Sequence, residues 1–172
     1  MSSTSTSARH RGTDRTSGPT VWWALIPFLL AVALAAGLGG AASSSAGSEY
    51  ESLDQPFFAP PSWLFGPVWT VLYVAIGVAG WLAWRRTGVD AATGWWAGQL
   101  VLNAAWTPIF FGAGAGAYGW ALVEIVALLA AITVTIVMFR ARSRAAAWLM
   151  VPYLGWVAFA TALNASIWWL NR

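Results

Sequence analysis

Five apolar stretches, each long enough to cross a bilayer, govern what this chain can fold into. They fall at 21–42, 67–84, 95–112, 116–139 and 146–170. At a rise of ~1.5 Å per residue, about 18–25 helical residues cross a hydrocarbon core ~30 Å thick. Backbone groups in hydrocarbon must find their partners within the protein, and single stretches of this length do so as helices. Composition closes off the soluble alternative, because 59% of the 172 residues are hydrophobic and only 9% are charged. A soluble domain carries about 25% charged residues, and a chain this short has too little interior to hide so much apolar surface. The expected fold is an all-α membrane protein, a five-transmembrane-helix bundle formed by residues 21–172.

Residues 1–20 are rich in Ser, Thr and Arg, show no apolar period, and are expected to be a disordered cytoplasmic tail. The first stretch is longer than the ~7–15 residues of a signal-peptide core, so it is expected to stay as a helix. Arginine placement orients the rest. Arg9, Arg11 and Arg15, then Arg85 and Arg86, then Arg140, Arg142 and Arg144 all fall on one side of a five-span arrangement. The connection at 43–66 carries Glu49, Glu51 and Asp54 and no base. By the positive-inside rule the N-terminus is cytoplasmic, and the first loop and C-terminus lie outside; the expected location is a bacterial cell membrane. The basic balance of +3 thus reports topology, and no nucleic-acid partner is expected.

Several chemistries are excluded. With no cysteine, there is no disulfide, thiol nucleophile or thiolate metal site. The one histidine, His10, lies in the tail, so no metal site is expected within the bundle. The loop at 43–66 is the longest connection, and its QPFFAPPSW run should be stiff and non-helical because proline fixes φ and removes donors. It is expected to act as a lid over the outer end of the bundle.

The chain has 14 tryptophans. Trp22, Trp23, Trp81, Trp84, Trp95, Trp96, Trp148, Trp168 and Trp169 lie near span ends, where indoles suit the headgroup layer. Others are deeper. Counting from the outer helix ends, Trp120 lies ~6 Å in, Trp106 ~9 Å and Trp156 ~21 Å. Asn103, Glu124 and Asn164 fall at ~13, ~12 and ~9 Å on three different spans. Glu124 is the only ionisable side chain within a span. Such a residue is either functional or a tie between helices. Helical spacing aligns Trp69, Tyr73, Gly77 and Gly80; Gln99, Asn103, Trp106 and Phe110; Trp120 and Glu124; and Tyr153, Trp156, Ala160 and Leu163. These stripes suit either helix packing or a cavity for a large, flat, mostly apolar ligand.

Four ordered blocks carry a resemblance. They are P-x-x-x-P-P-x-W-x-x-G-P-V-W-x-x-L-Y at 56–73, Q-L-x-L-N-x-x-W-x-P-I-F-F-G at 99–112, G-W-A-L-V-E at 119–124, and P-Y-L-x-W-x-A-F-A-T-x-L-N at 152–164. On these the chain resembles the TspO/MBR family, the tryptophan-rich sensory proteins related to the translocator protein or peripheral benzodiazepine receptor. The resemblance implies a five-helix homodimer in membrane lipid, with a pocket beneath the first loop. It also implies protoporphyrin IX or a related porphyrin as ligand, with no cofactor required. The candidate ligand-binding set is Trp63 in the loop, Trp69 and Tyr73, Asn103 and Trp106, Trp120, Val123 and Glu124, and Trp156, Ala160, Leu163 and Asn164. Some bacterial members are reported to degrade porphyrin in light, and Trp69 and Trp156 would then be the catalytic residues. A third reading is a Glu124-dependent exporter. The chain departs from the family pattern at Glu49, Gln55 and Phe58, where Trp, Lys and Trp are common. No Tyr stands between Leu163 and Arg172, so cholesterol binding is not expected.

Overall fold

The computed structural model describes residues 22–41, 46–112 and 117–172. The expected tail at 1–20 and the start of the first loop lie outside them. A 3-10 turn at Trp22–Ala24 leads into α1 (Leu25–Ala41), followed by α2 (Ala46–Ser52). Another 3-10 turn at Ser62–Leu64 leads into α3 (Phe65–Thr87), α4 (Ala91–Gly112), α5 (Tyr118–Arg140) and α6 (Arg144–Leu170). No strand occurs among the described residues. Four helical stretches, Trp22–Ala41, Ser62–Thr87, Tyr118–Arg140 and Arg144–Leu170, are long and apolar enough to cross a membrane. The chain is an all-α integral membrane protein. Helix α4 has 22 residues but falls short in hydropathy, because Gln99, Asn103 and several Gly, Thr and Trp residues dilute it.

The long helices close into a ring in which α1 packs on α3 and α4, α3 on α6, α6 on α5, and α5 on α4. Glycine sets how closely α3 approaches its neighbours. A Cβ on Gly80 would stand 2.6 Å from Trp96 Cε2 and 2.9 Å from Phe28 Cδ1. One on Gly77 would stand 2.9 Å from Leu29 Cδ2. The fit places Trp96 in the core, 5% exposed, with Nε1 donating to the Ile76 carbonyl at 3.0 Å. The interfacial position expected for Trp96 is therefore corrected: the space left by Gly80 and an acceptor on α3 draw the indole inward. Trp22, Trp23, Trp148 and Trp169 are exposed, as headgroup-layer residues should be.

Polar side chains fix the ends. At the end bearing the α3–α4 and α5–α6 connections, Gly88 closes α3 with φ 72°, a conformation that suits a residue without Cβ. Asp90 then caps α4, its Oδ1 accepting from the Ala92 and Thr93 N–H groups at 2.9 and 3.1 Å. The other oxygen, Oδ2, accepts from Arg142 Nε at 2.7 Å, tying the two connections together. Ser143 caps α6 by accepting from the Ala146 N–H at 3.3 Å.

The first loop differs from expectation in part. Its early portion is helical (α2), and α3 starts at Phe65, two residues before the expected 67. The turn of α2 is too short to show an apolar period. Its carbonyl end is closed by side chain and loop, with the Leu53 N–H donating to the Tyr50 carbonyl at 3.3 Å and Gln55 Nε2 donating to the same oxygen. Pro67 is accommodated in the first turn of α3, where no intrahelical donor is needed.

Candidate functional site

A cavity of ≈ 300 Å³ lies beneath α2 and the Pro-rich loop, at the end of the bundle away from most of the arginines. Its floor and walls come from each of the long helices except α1. Phe65, Trp69 and Tyr73 line it from successive turns of α3, as spacing near four residues dictates. Helix α4 contributes Asn103, Trp106, Thr107, Phe110 and Phe111, while α6 contributes Trp156, Val157, Ala160, Leu163, Asn164 and Ile167. Ala46, Gly47, Tyr50 and Ser62 form the roof. No charged side chain stands among these lining residues.

The aromatic rings hold one another at angles. Trp106 stacks on Phe110 with centroids 4.9 Å apart and 27° between planes. Trp69 lies 5.2 Å from Tyr73, and Trp156 lies 5.9 Å from Phe65 and 5.6 Å from Phe159. Tilted and edge-on pairs of this kind add to simple burial and fix ring positions.

The polar groups in the wall are mostly consumed by the fold. Tyr73 Oη donates to Asn103 Oδ1 at 2.7 Å, Asn103 Nδ2 donates to Tyr153 Oη at 3.1 Å, and Tyr153 Oη donates to Gln99 Oε1 at 2.9 Å. This relay ties α3, α4 and α6. A second tie runs from Trp106 Nε1 to Asn164 Oδ1 at 3.3 Å and from Asn164 Nδ2 to the Tyr118 carbonyl at 3.0 Å. Both asparagines therefore bridge helices. Trp156 is different, because its Nε1 is buried without a hydrogen-bond partner among the described residues. Buried donors are rarely left unmatched, and this one belongs to a side chain on the cavity wall.

The roof is held in place. Tyr50 Oη donates to the Pro60 carbonyl at 3.1 Å, and the Tyr50 ring packs edge-on against Phe65. Ser62 Oγ donates to Glu51 Oε1 at 2.6 Å. Phe58 packs edge-on against Phe159 at 6.2 Å.

Eight of the expected ligand-binding residues meet in this cavity: Trp69, Tyr73, Asn103, Trp106, Trp156, Ala160, Leu163 and Asn164. Four stand elsewhere. Trp63, Trp120 and Val123 are exposed and face away from the cavity. Glu124 is off the wall, with both carboxylate oxygens buried and unpartnered among the described residues. For Trp120, Val123 and Glu124 the reason is the rotation of α5. Its inward face runs through Ala121, Ile125, Leu128 and Ile132, one residue, or about 100°, from the stripe containing Trp120 and Glu124. Reasoning from sequence missed Tyr50, Phe65, Thr107, Phe111, Ile125, Leu128, Val157 and Ile167. Phe65 was reachable as the residue one turn before Trp69, and Ile167 as one turn beyond Leu163.

The family model for the TspO/MBR family matches residues 21–170. The chain belongs to the TspO/MBR family. Among its relatives, the human translocator protein is 43% identical over 124 residues, covering 69% of this chain and 72% of the relative. The tryptophan-rich protein TspO of Archaeoglobus fulgidus is 40% identical over 158 residues, covering 86% and 96%. Protein CrtK of Rhodobacter capsulatus is 36% identical over 131 residues, covering 74% and 81%. In this TspO/MBR chain the four motif blocks supply the Pro-rich roof, the start of α3, most of α4, the start of α5 and the middle of α6.

Proposed function

We propose that this chain binds a tetrapyrrole, protoporphyrin IX or a close relative, in the cavity beneath its first loop, for sensing, sequestration or transport. The observation that carries the reading is the cavity wall, in which tilted aromatic rings surround an uncharged space and the Trp156 N–H has no partner among the described residues. A flat macrocycle gains stacking on Trp69, Trp106 and Trp156, and can offer an acceptor to the free indole N–H. At ≈ 300 Å³ the cavity is at the small end of ligand pockets, about 300–1,000 Å³, so admitting a whole macrocycle would require the roof of α2 and the Pro-rich loop to shift outward.

The bundle is proposed to have five spans, with α4 as the fifth. It carries no charge, has the length, and is packed between α1 and α5. An odd number of spans separates the termini, with the N-terminus on the cytoplasmic side of a bacterial membrane, as the positive-inside rule requires. Reporter fusions to the two ends should give opposite accessibility. Assembly as a homodimer is part of the same proposal and rests on the family.

A second reading is light- and oxygen-dependent breakdown of the bound porphyrin. It is favoured by Trp69 and Trp156 both standing on the cavity wall, where an excited macrocycle could oxidise an indole. Glu124-dependent export finds no such support, since Glu124 lies off the wall.

The deciding experiment is a protoporphyrin IX titration of detergent-purified protein, read by tryptophan fluorescence and porphyrin absorbance, first in darkness and then under light. Saturable quenching with an unchanged porphyrin spectrum is the expected result. Bleaching in light that requires Trp156, tested with Trp156→Phe, would establish the second reading. Absence of saturable quenching would overturn both.

A further inference from the structure

At the opposite end of the bundle, a groove of ≈ 430 Å³ runs between the end of α5 and the start of α6. It is bordered by Ile136 and Arg140 on α5 and by Arg144, Ala147, Trp148 and Val151 on α6. We infer that this groove holds the phosphate of an anionic phospholipid between Arg140 and Arg144, with an acyl chain along Ile136 and Val151.

Three observations meet here. The first is what the neighbouring arginines do. Arg142 is consumed by the fold, with Nη2 2.6 Å from Asp90 Oδ2 and Nη1 donating to the Met138 carbonyl at 2.7 Å. Arg85 lies over the Trp81 ring at 4.5 Å. Arg140 and Arg144 are exposed, and neither makes an ion pair or side-chain hydrogen bond among the described residues. Helix stability does not account for Arg144 either, since it opens α6, where the macrodipole disfavours a cation.

The second observation is the groove's shape. Its two walls are helices long and apolar enough to span the membrane, so its occupant reaches it sideways from the bilayer. Ile136, Ala147 and Val151 give the groove an apolar side one to two turns deeper than the arginines. The third is Trp148, 71% exposed on the groove's rim, where an indole sits at headgroup level. A pair of unengaged guanidinium groups above an apolar slot matches a lipid phosphate above its chains, and guanidinium binds phosphate with directed hydrogen bonds. The site lies at the far end of α5 and α6 from the cavity and does not depend on what the cavity binds.

Native mass spectrometry of the full chain, released from detergent containing equimolar phosphatidylglycerol and phosphatidylcholine, tests this. Each arginine near a net-anionic headgroup contributes about 1 kcal/mol, or roughly fivefold, whereas the choline cation of phosphatidylcholine offsets its own phosphate charge. The wild type should retain phosphatidylglycerol at least tenfold over phosphatidylcholine. Arg140→Gln with Arg144→Gln should abolish the preference, each single substitution should lose roughly fivefold, and Arg140→Lys with Arg144→Lys should keep most of it. Arg85→Gln with Arg86→Gln removes the same charge from the same end and should change nothing. Both arginines of the groove are exposed, so circular-dichroism melting should be unaltered, and the single substitutions carry the test if the double variant unfolds. No lipid preference in the wild type, or an equal loss in the Arg85/Arg86 variant, would overturn the proposal.

Discussion

Asp54 and Asn171, separated by 117 positions, hold each other reciprocally: the Asp54 N–H donates to Asn171 Oδ1 at 3.1 Å, and Asn171 Nδ2 donates to the Asp54 carbonyl at 3.0 Å. This pair fastens the roof of the cavity to the last turn of α6. Asn171 Nδ2 also reaches the Ile167 carbonyl at 2.8 Å, so the clasp is anchored to the helix it closes. Two neutral hydrogen bonds contribute about 1 kcal/mol each. Asn171→Ala should therefore raise the dissociation rate of protoporphyrin IX by up to about thirtyfold while leaving the bundle's thermal midpoint nearly unchanged. Stopped-flow recovery of tryptophan fluorescence measures the first and melting in detergent the second.

The relay from Tyr73 through Asn103 and Tyr153 to Gln99 makes a different prediction. Tyr153 is fully buried, and its hydroxyl serves both Asn103 and Gln99. Tyr153→Phe leaves Asn103 Nδ2 and Gln99 Oε1 without these partners in a dry interior. An unsatisfied buried group costs about 1–3 kcal/mol. Destabilisation of that size should appear in chemical unfolding, with a smaller effect from Tyr73→Phe, whose ring borders the cavity.

How far the sequence revealed this structure depends on what each residue's neighbours are. The placement of the four strongly apolar helices follows from apolar length, which needs no partner to be read, while α4 is long but diluted by polar residues. The α3 and α4 stripes are legible because Gly77, Gly80, Gln99 and Asn103 break an otherwise apolar surface and can only face inward. Helix α5 offers no such guide. Apart from Glu124 it is nearly apolar all round; that carboxyl marks a stripe which does not face the cavity, and packing against α4 and α6 selects the Ala121–Ile125–Leu128 stripe. Trp96 misleads for a related reason: its position at a span end suits the headgroup layer, and only the hollow at Gly80 on another helix draws it in. Helix α2 escapes because about two turns carry no readable period.

Gly80→Ala tests that hollow directly. The added methyl would stand 2.6 Å from Trp96 Cε2, and both the indole and Phe28 are packed on other sides. Overpacking of this kind costs about 1–3 kcal/mol. Gly98→Ala and Gly155→Ala, where nothing lies within 4 Å of the new carbon, should be neutral or slightly stabilising because alanine favours helix. A thermal series of the three variants in one detergent separates the outcomes.

The Asp90–Arg142 clamp predicts a pH dependence. Partial desolvation pushes the Asp90 carboxyl up, but hydrogen bonds from Arg142, Thr93 and Thr87, with the charge of Arg142, outweigh it and hold the group at about 2. A carboxylate depressed in the folded state contributes its stability in full above its unfolded value, near ~3.9, and loses it as pH falls through the folded value. The wild type should lose part of its thermal midpoint between about pH 4 and pH 2. Asp90→Asn should start lower at neutral pH and show a flatter profile through the same window.

Glu124 offers the last prediction. Both of its oxygens are buried without a partner among the described residues, on a helix whose other side chains are almost all apolar. Neither the aromatic wall nor the helix-joining hydrogen bonds involve it. Removing an unsatisfied buried polar group in favour of an apolar one of similar size relieves a penalty of about 1–3 kcal/mol. Glu124→Leu should therefore raise the thermal midpoint and leave protoporphyrin IX quenching unchanged. A lowered midpoint would mean that the carboxyl finds a partner in the assembled protein, and lost quenching would mean that it reaches the ligand after all. The two readouts are independent because Glu124 and the cavity lie on different faces of α5.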